Sequence, residues 1–288
     1  MAATVSNGLY SPEVWEDVAQ AEFLKKAIVI NAAIQNDALV GKPGDEVDFP
    51  KWSTLSDLDD LTEGVAMGTE ALTQSSTKAT IKEAGKAVEI TDTAKLVGLG
   101  NAQDEAIRQF GVLAARKVDG DLITVAGATV TGGVTYANGS TATDSAPLSF
   151  TTAAGGLKWA GIVGGIEKFG DDFEPDEFSG LYVRSDTRAA LWNDPQFIAA
   201  SQAQGVNGVV NRGLLGNIGG LNVYVTDRLS AGKAMIIKRN ALGVLYKRRP
   251  IVEQDRDILK RTTVVTTNLH YAVKRLNDRG VCVLNITA

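Results

Sequence analysis

The chain has 288 residues, enough to bury a sizeable core as one large domain or two small ones. With 44% hydrophobic and 22% charged residues it has an ordinary globular composition, and a net charge of −5 argues against a protein whose main task is gripping DNA or RNA. A single cysteine excludes an intrachain disulfide and a multi-cysteine metal site, and no run of about 18 apolar residues marks a membrane span.

Met1–Tyr10 lacks the basic-then-apolar pattern of a secretory signal peptide, so synthesis and assembly in a reducing cytoplasm are expected. Val14, Val18, Ala21, Leu24 and Ala27–Ile28 recur at helical spacing behind Ser11–Pro12. Gly41-Lys-Pro-Gly is turn punctuation, and Val47 and Phe49 alternate with polar neighbours in the strand manner. A polar, acidic span over 53–76 follows, and alternation returns between Lys78 and Thr91. Strand, polar excursion and return strand make an extended two-stranded arm, which buries too little of its own surface to stand alone.

Asn101 can cap a helix whose first turn holds Asp104 and Glu105. Ile107, Phe110, Ala114, Val118, Leu122 and Val125 then fall on one face, predicting a helix of about 25 residues, twice the usual length. The Gly/Thr/Ser/Ala-rich stretch 127–147 reads as a loop or loose hairpin, and 151–169 as a second helix. Strands are predicted at 178–184, 220–226, 234–238 and 241–246, a short helix at 186–192, and a turn or helix at 255–259. Two final strands, 262–276 and 280–286, are joined by a hairpin-type turn at Asn277-Asp-Arg-Gly. Helices and strands mix without a βαβ rhythm, so the fold class is α+β.

Catalytic signatures are missing. Gly98-Leu-Gly-Asn-Ala-Gln lacks the third glycine of a dinucleotide fingerprint, and neither a phosphate loop nor a Gly-x-Ser-x-Gly elbow occurs. His270, the one histidine, sits in an alternating strand run and reads as sheet packing; Cys282 reads as a small buried hydrophobe. Asp57, Asp59, Asp60 and Glu63 suggest a calcium loop, but Leu61 and Thr62 stand where such a loop needs a ligand and a glycine, so a solvated acidic face is expected. Asn138-Gly-Ser matches a glycosylation triplet of a kind common by chance. No catalytic, cofactor-binding or metal-binding residue is therefore expected. Charge is unevenly spread: 45–90 holds ten acids against four bases, and 233–279 holds twelve bases against four acids. Either both stretches are solvated faces, or the acidic arm lies on the basic segment around Arg248 and Arg249 of a neighbour, or that segment faces DNA.

The order of parts, with Gly216-Asn-Ile-Gly-Gly-Leu-Asn-Val-Tyr-Val-Thr-Asp, Gly232-Lys-Ala-Met-Ile-Ile, Ile251-Val-Glu-Gln-Asp-Arg-Asp and Tyr271-Ala-Val-Lys-Arg-Leu-Asn-Asp-Arg-Gly-Val, resembles the Hong Kong 97-type major capsid protein of tailed phages. By order of parts the resemblance covers nearly the whole chain; by motif it covers 180–288. It implies an N-terminal arm over 1–40, an extended loop over 41–90, a peripheral domain over 91–127 and 255–288, and an axial domain over 128–254. It implies pentamers and hexamers of an icosahedral shell enclosing double-stranded DNA without sequence-specific binding. Since no scaffolding extension is visible, assembly is expected to use a separate scaffolding protein or another mechanism, with a portal and a possible decoration protein as further partners. No cofactor and no membrane are expected. Some relatives crosslink a loop lysine to a neighbour, and Lys51, Lys78 and Lys82 lie in the matching element. The rival readings are an encapsulin-like compartment shell and an enzyme of unrecognised type with its site in the axial region.

Overall fold

A computed structural model describes residues 27–37, 39–41, 43–52, 55, 58, 60–64, 66–72, 74–97, 101–129, 135–136, 146–195 and 217–287. The helical pattern expected before Ala27 lies outside the described residues, as do Asp57, Asp59 and Asn138.

Among the described residues, three sheets and one long helix set the architecture. Strands β1 (Ala33–Asn36), β11 (Leu242–Asp257), β12 (Thr262–Arg275) and β4 (Lys82–Thr91) form a four-stranded sheet in the order β1-β11-β12-β4. Strands β6 (Leu148–Thr151), β13 (Val281–Asn285), β10 (Lys233–Lys238), β7 (Phe178–Val183), β9 (Leu221–Val225) and β8 (Asn217–Ile218) form a six-stranded mixed sheet in that order. The third sheet is the arm: β2 (Glu46–Trp52) pairs antiparallel with β3 (Gln74–Thr80), and β5 (Thr135–Tyr136) adds to β3. A short helix α1 (Asp92–Val97) follows β4.

The long helix is α2 (Ala102–Gly127), one residue from its expected bounds, with the Asn101 side chain accepting the Gln103 N–H as a cap. Its buried stripe packs on the four-stranded sheet and on one face of the six-stranded sheet, sharing one core with Leu242, Val244, Tyr271, Met235 and Ile237. Alternation in β10 sends Ala234 and Ile236 to the other face, into a second core with Leu181, Cys282 and Leu284. Helices α3 (Trp159–Glu167) and α4 (Arg188–Trp192) cover that second face.

Several expected elements shift. The helix expected from 151 begins at Trp159, because Gly155 and Gly156 take φ of +102° and +85° in the turn before it. The strand expected to end at 246 runs on to Asp257, and the true hairpin turn is 258–261, where a turn or helix was expected. Asn277–Gly280 makes no hairpin: β12 pairs with β11 and β4, whereas β13 pairs with β10 and β6. The turn passes the chain from one sheet to the other. The expected boundary at 254/255 thus falls inside one strand, and 281–285 sits in the sheet built mostly from 148–238.

Candidate assembly surfaces

The residues that carry chemistry in other proteins are used here for packing. His270 stands in β12 opposite Glu83 of β4 and Arg248 of β11, with Nε2 3.6 Å from Glu83 Oε2. Cys282 is fully buried in β13, and that burial pushes its thiol up to about 12, which leaves it protonated and inert at neutral pH. Asp60 and Glu63 are exposed, and no three or more His, Cys, Asp or Glu groups gather as a metal site among the described residues.

Buried polar groups instead fix the chain ends and helix ends. Asp119, 4% exposed on α2, accepts the N–H groups of Ile28 (2.7 Å), Val29 (3.1 Å) and Ile30 (3.1 Å). One carboxylate thus anchors the entry of the chain into the core. Arg275, 3% exposed, donates to the carbonyls of Val125, Ala126 and Ala128 at the C-terminal end of α2, while its Nε donates to Asp278 at 2.7 Å. A cation there meets the negative end of the helix dipole and satisfies carbonyls that helix geometry leaves without partners. Sequence reading missed both roles. The signal was present, since each is a charged residue within an apolar pattern that only buried partners make tolerable.

The arm is tied to the body at its base, and β5 pairs with β3 at Ser75 and Ser76 farther out. Ile81 N–H donates to the Asp45 carbonyl, Lys274 Nζ to the Lys78 carbonyl at 3.1 Å, and Lys247 Nζ to the Gly44 carbonyl. Lys78 pairs with Glu46 at 3.0 Å, and Lys82 pairs with Asp121 at 2.7 Å while lying over the Tyr271 ring. Two of the three lysines considered for crosslinking, Lys78 and Lys82, therefore have partners within the subunit; the side chain of Lys51 lies outside the described residues. Beyond the base, Leu55, Leu58, Leu61, Met67 and Leu72 are exposed, Leu58 completely so at 101%. The span expected to be merely polar carries apolar side chains with no place in their own core.

The basic segment is largely engaged at home. Arg248 pairs with Glu253 at 3.1 Å, Arg249 with Asp37 at 2.8 Å and over Tyr246, Arg256 with Asp92 at 3.0 Å, and Lys238 with Glu177.

What the described residues leave unsatisfied is apolar surface. Comparison with known proteins supplies the family. The family model described as phage capsid protein matches residues 74–284, well over half of the chain. The chain belongs to the phage capsid protein family. Within that family it is 29% identical over 262 residues to the major capsid protein of Staphylococcus phage phiMR11, covering 90% of this chain and 87% of that one. Among solved structures, a chain of Mycobacterium phage Che8 aligns at TM-score 0.68 and 14% identity over 90% of this chain and 91% of its own. The cyanophage Pam1 capsid aligns at TM-score 0.67 and 16% identity over 100% and 96%. The phage capsid fold of the Hong Kong 97 type, expected from the order of parts, is the fold this capsid-family chain has. The family is one of structural proteins, which sets the enzyme reading aside, and the encapsulin-like alternative is not favoured.

Proposed function

We propose that the chain is the major capsid protein of a tailed phage, a structural subunit that builds the icosahedral head. The family match over 74–284 carries this reading, and the arm supports it, because exposed leucines beyond a tethered base require covering by neighbours. The subunits associate as pentamers and hexamers, reside in the virion, and assemble in the host cytoplasm with a separate scaffolding protein and a portal, with or without a decoration protein. They enclose double-stranded DNA without reading its sequence, in keeping with the net charge of −5.

In this reading residues 1–40 form the N-terminal arm and 41–90 the extended loop that crosses a neighbour. α2 and the four-stranded sheet form the peripheral domain, and the six-stranded sheet with α3 and α4 forms the axial domain. Strand continuity favours assigning β11 with β12 to the peripheral domain and β13 to the axial one.

Negative-stain microscopy of the purified protein tests this. Closed shells or ring-shaped capsomers are the expected result, and nuclease-protected DNA in particles from infected cells distinguishes a phage head from a cargo compartment. A monomer at every concentration, with or without scaffold, would overturn it.

A further inference from the structure

Three side-chain atoms of β12 are buried without a hydrogen-bond partner among the described residues: Thr267 Oγ1, Asn268 Oδ1 and His270 Nδ1. The strand alternates, so Asn268 and His270 share one face of the sheet. Two neighbouring polar atoms left unpaired in this way cost free energy, and a state that pairs them is favoured.

At His270 three strands lie in register, with Glu83 of β4 on one side and Arg248 of β11 on the other. The ring is 29% exposed, and its Nε2 lies 3.6 Å from Glu83 Oε2, close enough for an ion pair and too far for a hydrogen bond. Arg248 is held by Glu253 at 3.1 Å, which offsets its repulsion of a charged ring. Lys82 and Asp121 meet on the opposite face, beside Tyr271. Asn268 stands between Gly85 and Ile251, neither of which has a side-chain donor. Gly85 is constrained to be glycine, because a Cβ there would come within 2.8 Å of the Thr267 carbonyl oxygen.

We propose that His270 is a proton-operated catch joining β12 to β4. A neutral imidazole carries one N–H and an imidazolium two. Only the imidazolium can pair with Glu83 through Nε2 and at the same time, after a small turn of ring and amide, donate from Nδ1 to Asn268 Oδ1. Histidine is the side-chain type whose charge ordinarily changes between about pH 5 and 8. The catch therefore closes on the acid side of that range, and the stability it adds is lost as pH rises. The ladder to β4 is the regular one at this level. On the other side, β11 shifts register between Tyr246 and Arg248 and again between Arg248 and Ile251, and Pro250 has no N–H to give. β4 is also the edge strand of its sheet and starts directly after Ile81, so the catch grips the root of the arm. The inference concerns the subunit itself and stands apart from the shell reading.

Hydrogen exchange on the full chain, at one fixed state of assembly, tests the catch. After correction for the intrinsic rate, amides of 82–87 should exchange about two- to fivefold more slowly at about pH 5.5 than at about pH 8, the factor that a partly exposed ion pair supports. The chain has one histidine, so its ring resonances identify themselves, and both ring nitrogens should be protonated in the slow-exchanging state. His270→Gln, which takes no charge, should abolish the difference, and Glu83→Gln should remove most of it. Equal exchange at both pH values in the parent, or a difference that survives His270→Gln, would overturn the catch. Where His270→Gln fails to fold, Glu83→Gln decides: an undiminished pH dependence in that variant would overturn it as well.

Discussion

Asp119 is a carboxylate set among Ala115, Val118 and Leu122 on the buried stripe of α2. Burial raises its pKa above the ordinary carboxylate range, opposed by the N–H groups of Ile28, Ile30 and Val29 and by Arg228, while Tyr182 and Tyr246 approach it from the sheets. A folded-state pKa above the unfolded one means that the native protein holds this proton to higher pH. Its contribution to stability is therefore fully present below the ordinary carboxylate value and declines as pH rises through the raised value. Asp119→Asn, which cannot titrate, supplies the reference: wild-type stability minus that of the variant should fall across that window, and a flat difference would refute the titration. Asp119→Ala takes the acceptor from two buried N–H groups and a partly buried one and should cost about 2–4 kcal/mol in denaturant unfolding, with faster amide exchange at Ile28, Val29 and Ile30. Cys282 offers a second reading at this scale. With its thiol buried and pushed up to about 12, labelling by a thiol reagent should follow global unfolding. Labelling at the rate of a free thiol in the native protein would contradict the buried placement.

At the scale of elements, α3 shows why close packing decides what sequence patterns leave open. A Cβ on Gly164 would collide with the Phe150 ring, and one on Gly165 with Leu284, so two glycines let this helix lie directly on β6 and β13. Gly164→Ala drives its Cβ into the Phe150 ring and should destabilise the fold by about 1–3 kcal/mol, although alanine is the better helix former; thermal melting checks the sign. The opposite end of legibility is α2, where cap, first-turn acids and apolar stripe agree, and the sequence located it to within a residue. The arm strands were legible for the same reason, through Val47 and Phe49. What failed was pairing. The alternation of 262–276 and 280–286 shows two strands, yet nothing in Asn277-Asp-Arg-Gly says that they enter different sheets. That is settled by Arg275, which spends its donors on the end of α2 and turns the chain away. Leu55, Leu58 and Leu61 recur every third residue, but three leucines among acids are too short a run to mark an element. They become informative only when nothing in the subunit covers them.

For the whole molecule, the arm separates what folds the subunit from what joins subunits. Neither large core includes a described residue of 53–73: the first is built from α2 and the two larger sheets, the second from α3, α4 and the other face of the six-stranded sheet. Trp52 and Gln74 face each other in the β2–β3 register, so replacing 53–73 by Asn-Gly closes the arm as a two-residue hairpin without disturbing its base. The base contacts of Gly44, Asp45, Lys78 and Ile81 all lie on the retained side. Exposed leucines contribute nothing to native stability, and shortening a loop lowers closure entropy by only about 0.6 kcal/mol per halving. The shortened protein should therefore melt cooperatively within a few degrees of the full chain. It should remain soluble, and more so than the parent, having lost its apolar tip. Shell formation, followed by light scattering and microscopy, should be abolished, because the exposed leucines that the loop carries to a neighbour are gone. Loss of cooperative melting would show that the loop belongs to the core after all. Normal shells from the shortened chain would show that the subunits are joined elsewhere, with β1 and the open far half of β11 as the next strand edges to examine.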